Sequence, residues 1–249
     1  MQLLEVAGLM GHQLLNGLNK MIIITGASKG IGRYLFKRFK SEGCKVLGTY
    51  NSTKEDFESD KESYFKIDIS DYNQVKMWID SIKDELDNII LINCAGISYS
   101  SFAHKADIIQ WKNVINVNLT GTFNVIHCFL PLMREQHYGR IINFSSVVAK
   151  LPTMGVSAYA ASKAGLIGLT KSLALENARL GITVNAINLG YVKLGMGLKN
   201  VTEIFQEKIK KQIPAGRFCK PEEIYNTIKY IIETEYINGE DLDLNGGLI

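Results

Sequence analysis

The chain of 249 residues is 46% hydrophobic and 21% charged. This is a soluble globular profile with no compositional break or Pro/Gly/Ser-rich linker, long enough to bury a large core as one α/β domain. Its 28 basic and 25 acidic residues nearly cancel to a net +3, so charge gives no footing for a nucleic-acid or membrane-surface protein. Cys44, Cys94, Cys128 and Cys219 lack metal-ligand spacing, and no stretch approaches the roughly 20 apolar residues that cross a bilayer. Reduced thiols, no metal, no membrane and a cytoplasmic location are therefore expected.

Residues 1–20 hold short apolar stretches but no basic n-region, continuous h-region or cleavage site, so they are not read as a signal peptide. They are set aside as an N-terminal extension, a cloning remnant or a short oligomer contact, and 21–249 is taken as a single domain. Met21-Ile-Ile-Ile-Thr25 predicts a buried strand, Gly26-Ala-Ser-Lys-Gly30-Ile-Gly32 a turn, and the pattern through Phe39 a helix. Glycines let a backbone approach a pyrophosphate closely, and a helix start offers that charge free N–H groups and a favourable dipole. The spacing is G-x-x-x-G-x-G rather than the commoner G-x-G-x-x-G.

A second strand, Lys45–Tyr50, runs into Asn51 and Ser52 without the Asp or Glu that binds the adenosine-ribose hydroxyls of NAD. Lys29 in the turn and Lys54 beyond the strand supply ammonium groups for a 2′-phosphate, so NADPH/NADP is expected over NAD. Two solvated lysines are the ordinary alternative. Phe65–Ile69 and Asn88–Asn93 predict the third and fourth strands. Asp68 can accept from an adenine amino group, and Asn93-Cys-Ala-Gly96 gives adenine and ribose a small-residue exit. Strands alternating with helices at this rhythm predict a Rossmann-type, doubly wound parallel sheet of about seven strands, with helices on both faces and a ligand crevice at its carboxyl edge.

Further on, Arg140–Ser145 reads as a buried strand that delivers Ser146, and the loop from Ala149 to Val156 leads into an apolar helix through Leu175. On that helix Tyr159 and Lys163 lie four apart and share a face. A phenol with an ordinary pKa of about 10 is a poor acid or base near neutrality. A fixed ammonium beside it is expected to lower that value toward the working range, while a serine hydroxyl holds a carbonyl oxygen. A bare Y-x-x-x-K is more often a surface pair, so the weight rests on the other motifs.

With Thr25-Gly-x-x-x-Gly-Ile-Gly32, Asn93-Cys-Ala-Gly96, Asn118, Ser146 and Tyr159-x-x-x-Lys163 in order, the chain from Met21 onward resembles the short-chain dehydrogenase/reductase family. The resemblance is strongest to bacterial 3-oxoacyl-acyl-carrier-protein reductases. It implies that Tyr159 is the acid/base, Ser146 orients the substrate, Lys163 also grips the nicotinamide ribose, and Asn118 holds a water that resupplies protons. It further implies cofactor contacts at Gly26, Ser28, Lys29, Gly30, Ile31, Gly32, Asn51, Asp68, Ile69, Asn93, Ala95, Gly96, Gly190 and Val192, and a homodimer or homotetramer. Residues 195–211 are expected to include a mobile helix over the substrate, hinged at Gly195 and Gly197. Asp241–Gly247 resembles the family's last strand and terminal turn.

This sequence departs from the family pattern in places. Cys94 stands for an Asn, Leu189 for a Pro, and Leu194 for a Thr that hydrogen-bonds the nicotinamide carboxamide. His137 and Leu180 stand near the positions of two arginines that grip an acidic carrier protein, with Arg134, Arg140 and Arg179 as nearby substitutes. The leading reading is an NADPH-dependent reductase acting on a 3-oxoacyl thioester or small ketone, with acyl carrier protein as a possible partner. Alternatives are a sugar, polyol or secondary-metabolite ketone as substrate, suggested by the polar Lys193, Lys199 and Asn200, and a non-catalytic nucleotide-binding regulator.

Overall fold

A computed structural model describes residues 20–52, 60–194 and 202–249. Strands β1 (Met21–Thr25), β2 (Lys45–Tyr50), β3 (Tyr64–Lys66), β4 (Ile89–Asn93), β5 (Gly139–Ser146), β6 (Ile182–Leu189) and β7 (Asp241–Leu244) form one parallel sheet. Its order is β3-β2-β1-β4-β5-β6-β7. The order reverses between β1 and β4, and a crevice opens at the carboxyl edge at such a switch point. Register brings the strand ends level there: Thr25 pairs with Asn93, Asn93 with Asn143, and Ser146 with Leu189.

Helices cover both faces: α1 (Gly30–Ser41), α2 (Tyr72–Ile82), α3 (Ile108–Ile115), α4 (Thr122–Gln136), α5 (Ser157–Asn177), α6 (Glu203–Gln212) and α7 (Pro221–Glu233). Alternation along β1 decides which core each residue joins. Ile22 and Ile24 pack with Leu35, Phe36 and Phe39 of α1 and Ile224 and Ile228 of α7, while Ile23 packs with Trp78 of α2 and Phe129 of α4. Because both faces are covered, the central strands β1 and β4 read as nearly unbroken apolar runs, whereas the edge strand β7, Asp-Leu-Asp-Leu, alternates. Asp71 and Asp107 start α2 and α3 by accepting from the N–H groups two and three residues on, which satisfies donors that a helix start leaves unpaired.

Boundaries differ from the expectation at β3, β4 and β5, the last being longer by Gly139 and Ser146. The third strand ends at Lys66, not Ile69, because β2 runs out at Tyr50, its partner. Asp68 then turns the chain, its carboxylate accepting from the N–H and hydroxyl of Ser70. Asn88 stands outside the fourth strand in a left-handed conformation, φ 48°, which Asn tolerates better than most residues. Buried amides knit the carboxyl edge. Asn93 Nδ2 donates to Asn143 Oδ1 at 2.9 Å, Asn143 Nδ2 donates to Thr170 Oγ1 of α5 at 2.9 Å, and Thr25 Oγ1 accepts from the N–H groups of Cys94 and Ala95.

Phe39 is fully buried against Tyr225, ring centroids 5.0 Å apart. Phe39→Ala is expected to cost about 3–5 kcal/mol, read as a lower urea midpoint at unchanged slope.

Candidate active site

Ser146 is the last residue of β5, and its hydroxyl accepts from Val148 N–H at 3.4 Å as the chain enters a short turn. Tyr159 lies in the first turns of α5 beside Ser146. Burial pushes its phenol up, and the neighbouring Ser146 hydroxyl pulls it partly back. Lys163, one helical turn on, donates from Nζ to Phe144 O at 2.6 Å, and Nζ stands 5.5 Å from the Tyr159 ring centroid. Burial lowers the lysine to about 8. The expected tuning of the phenol by the ammonium is therefore not seen in this state: desolvation dominates, and the lysine head is turned to a backbone carbonyl.

Ser145 acts as a structural neighbour of the site. Its hydroxyl donates to Lys163 O at 2.9 Å, so the strand holds this lysine by both its head and its backbone. Small residues bring α5 close to the neighbouring helix: a Cβ on Gly165 would lie 2.8 Å from Leu119 Cδ2.

Asn118 lies in a π-helical stretch, Asn116–Gly121, between α3 and α4, and such irregular turns often mark functional positions. It is fully buried. Its amide is a two-way clamp on Ile97, accepting from the N–H at 2.8 Å and donating to the carbonyl at 2.9 Å. A third bond runs to Ser162 Oγ at 3.1 Å. Asn118 Oδ1 and Lys163 Nζ both lie within 4 Å of the point where a Gly96 side chain would begin. A water between them would meet an acceptor on one side and a donor on the other.

At the other end, Gly26 and Gly30 take φ of 66° and 56°, which glycine adopts without a Cβ penalty. A Cβ on Gly26 would lie 2.7 Å from Ala95 Cα, and one on Gly32 would lie 2.3 Å from Gly26 O, so the turn is closed to side chains. Helix α1 starts at Lys29 with no side-chain cap and no acid in its first turn. This leaves N–H groups and the dipole's positive end for an anion, so the turn fits a pyrophosphate. Ser28, Ile69 and Asn93 are buried, and Lys29 and Asn51 exposed. Ile69 packs where a Gly121 side chain would stand, and Asp68 keeps one carboxylate oxygen on Ser70. Asn93 Oδ1 is buried without a partner.

Gly190 follows β6 directly beneath Asn245, and Val192 bridges to Cys219. Leu189 ends β6 opposite Leu244. Lys54, Gly195, Gly197, Lys199 and Asn200 lie outside the described residues.

Sequence reasoning missed Ser162, Thr25 Oγ1 and the position of Cys94. That thiol accepts from Gly32 N–H beside Lys163, and burial pushes it up to about 12. Of the arginines offered as carrier contacts, Arg140 is buried at the amino end of β5. There it pairs with Glu235, donates to Gly181 O and lies over the Tyr138 ring. Arg134 donates to Asn177 Oδ1 at 2.6 Å. Arg140 is thus out of reach of a partner, whereas Arg134 and Arg179 are exposed. Among the described residues, no His, Cys, Asp and Glu cluster could hold a metal, and no helix is long and apolar enough to cross a membrane.

A family model described as short chain dehydrogenase matches residues 20–204. The chain is 36% identical over 237 residues to the acetoacetyl-CoA reductase of Shinella zoogloeoides, covering 92% of this chain and 98% of the relative. It is 35% identical over 243 residues to a 3-oxoacyl-acyl-carrier-protein reductase of Staphylococcus aureus, covering 93% and 98%. In three dimensions it is similar to the ligand-free aldohexose dehydrogenase of Thermoplasma acidophilum, with TM-score 0.85 and 31% identity over 94% of this chain and 95% of that one.

The lowered Lys163 has a sign that can be measured. Between about 8 and the ordinary 10.5 the unfolded chain binds the proton that the folded one releases, so stability from this group rises with pH across that window and is lost below it. Relative to Lys163→Met, the cofactor-free parent is expected to gain melting temperature from pH 8 to 10.

Proposed function

Because the chain belongs to the short-chain dehydrogenase/reductase family, whose members use NAD(P)(H), we propose that it is an NADPH-dependent reductase that turns a 3-oxoacyl thioester into the secondary alcohol. The observation that carries the reading is the meeting of Ser146, at the carboxyl end of β5, with Tyr159, whose ring centroid lies 5.5 Å from Lys163 Nζ one turn away. When bound, the dinucleotide supplies the hydride. Ser146 holds the carbonyl oxygen, Tyr159 gives it a proton, and Lys163 binds ribose hydroxyls and stabilises the phenolate left behind. Asn118 holds the water through which Lys163 exchanges protons.

The glycine turn Gly26–Gly32 and the start of α1 take the pyrophosphate. Asn51, Asp68, Ile69, Asn93, Ala95 and Gly96 line the adenosine side, and Gly190 and Val192 the carboxamide side. Preference for NADPH follows from exposed Lys29 and from the missing acid after β2.

The thioester is favoured by the printed activities of the two reductase relatives. The burial of Arg140 removes one candidate carrier contact and weighs toward a coenzyme-A thioester. The structural neighbour, an aldohexose dehydrogenase, supports a second reading with a sugar substrate. Ile108, Ile109 and Phe123 stand 62%, 76% and 43% exposed on α3 and α4, which supports burial against a second copy in a homodimer or homotetramer. The protein is taken to work in the cytoplasm.

Acetoacetyl-CoA should oxidise NADPH in the presence of the enzyme, whereas activity confined to keto sugars would replace the thioester reading with the sugar one. Tyr159→Phe is expected to lower kcat by about 10²–10⁴-fold while NADPH still binds, as followed by its fluorescence. Lys29→Glu should shrink the ratio of kcat/KM for NADPH over NADH; an unchanged ratio removes Lys29 from the phosphate site.

A further inference from the structure

We infer that Ser162 is a positioning residue that locks the Asn118 amide with its oxygen presented toward Lys163, an inference that rests on the carbonyl-reductase reading for its kinetic consequence. Ser162 is fully buried in α5, three residues after Tyr159 and one before Lys163. Its hydroxyl has one proton, and that proton is donated to Tyr159 O at 2.8 Å. Toward every other neighbour the hydroxyl can therefore act only as an acceptor. Its other partner is Asn118 Nδ2, at 3.1 Å.

The consequence falls on Asn118. One Nδ2 proton is taken by Ser162 and the other by Ile97 O, while Ile97 N–H points at Oδ1. Both donors are spent, so the amide has only the second lone pair of Oδ1 to offer. That oxygen lies 3.3 Å, and Lys163 Nζ 3.8 Å, from where a Gly96 side chain would start. The absence of a side chain on Gly96 leaves that space open. A buried serine in a helix commonly bonds only back to its own preceding turn. Here the back-bond fixes the hydroxyl as an acceptor for a neighbouring helix. The Tyr159 carbonyl and the Asn118 amide are thus coupled through one oxygen, on the residue next to Lys163.

Turnover tests this with the full-length enzyme, NADPH and acetoacetyl-CoA. Ser162→Ala should lower kcat about tenfold, leave KM for NADPH within twofold, and shift the basic limb of the pH profile. In an Asn118→Ala background it should have no further effect, and Ser162→Thr, which keeps the hydroxyl, should recover most of the rate. Multiplicative losses in the double variant, or a loss confined to KM, would overturn the inference. A second readout needs no turnover. The Asn118 side-chain amide protons, assigned by their disappearance in Asn118→Ala, should exchange with solvent at least tenfold faster in Ser162→Ala; equal exchange also overturns it. An enzyme silent with every ketone but showing this faster exchange would sink the reductase reading and leave the positioning role standing.

Discussion

A single lysine is gripped at both ends by one strand. Lys163 Nζ donates to Phe144 O, and its own carbonyl accepts from Ser145 Oγ, so β5 and α5 are joined in a fixed register at the level where the sheet stops. The other positions follow from that register. Ser146 is the next residue of the strand, Tyr159 lies one turn back on the helix, and Ser162 faces the neighbouring helix. Because β4 and β5 are themselves knitted by Asn93 and Asn143, with Asn143 reaching Thr170, the helix cannot slide along the sheet without breaking buried hydrogen bonds. An amide left unpaired there would cost about 1–3 kcal/mol. The apolar cores hold the layers together, but they are tolerant of small shifts; these directional bonds are not.

The same lysine is an electrostatic liability. It is buried beside a neutral thiol, Cys94, with no carboxylate next to it among the described residues, and its proton affinity falls accordingly. A buried ammonium on a single carbonyl is poorly compensated, and a ligand that offers it hydroxyl acceptors relieves that cost. Tyr159 carries the opposite burden, since burial favours its neutral form. In the resting arrangement each group is held near the protonation state that a proton donor and its support require. Lys163 Nζ and the Tyr159 ring centroid stand 5.5 Å apart, so in the proposed reaction the coupling between them would run through cofactor and water.

Most of the scaffold was legible because its determinants are local. The run Met21–Thr25 and the glycine turn announce a buried strand and a phosphate loop in adjacent residues, and the boundaries of β1 and β2 agree with the expectation. The end of β3 was not legible, because it depends on where β2 stops. Tyr159 and Lys163 could be seen as one face of a helix. That Lys163 turns to Phe144 O could not, since the partner is a backbone atom with no sequence signature. The helical periodicity around Asn118 conceals a π turn, which appears only when Asn118 is seen to reach sideways to Ile97. Arg140 illustrates the reverse error: a cation placed near a suggestive position proved to be buried under Tyr138 at the wrong end of its strand.

Chemistry and substrate are separated in this molecule by the kind of structure that carries each. The groups proposed for proton transfer stand on β5, α5 and the π turn, elements tied together by the buried hydrogen bonds at the sheet's edge. The walls that flank them are loops. One bond, Ser101 N–H to Gly155 O at 2.8 Å, ties the segment after β4 to the segment after β5, and it brings the neighbourhoods of exposed Phe102 and Met154 together. Loop positions have no period that could be read in advance, and neither Phe102 nor Met154 belongs to the hydrogen-bonded set that fixes Lys163. Relatives with the same fold can therefore differ in substrate, as the thioester reductases and the aldohexose dehydrogenase do by name. The choice between them rests on what the loops admit to a proton donor that the sheet has already set in place.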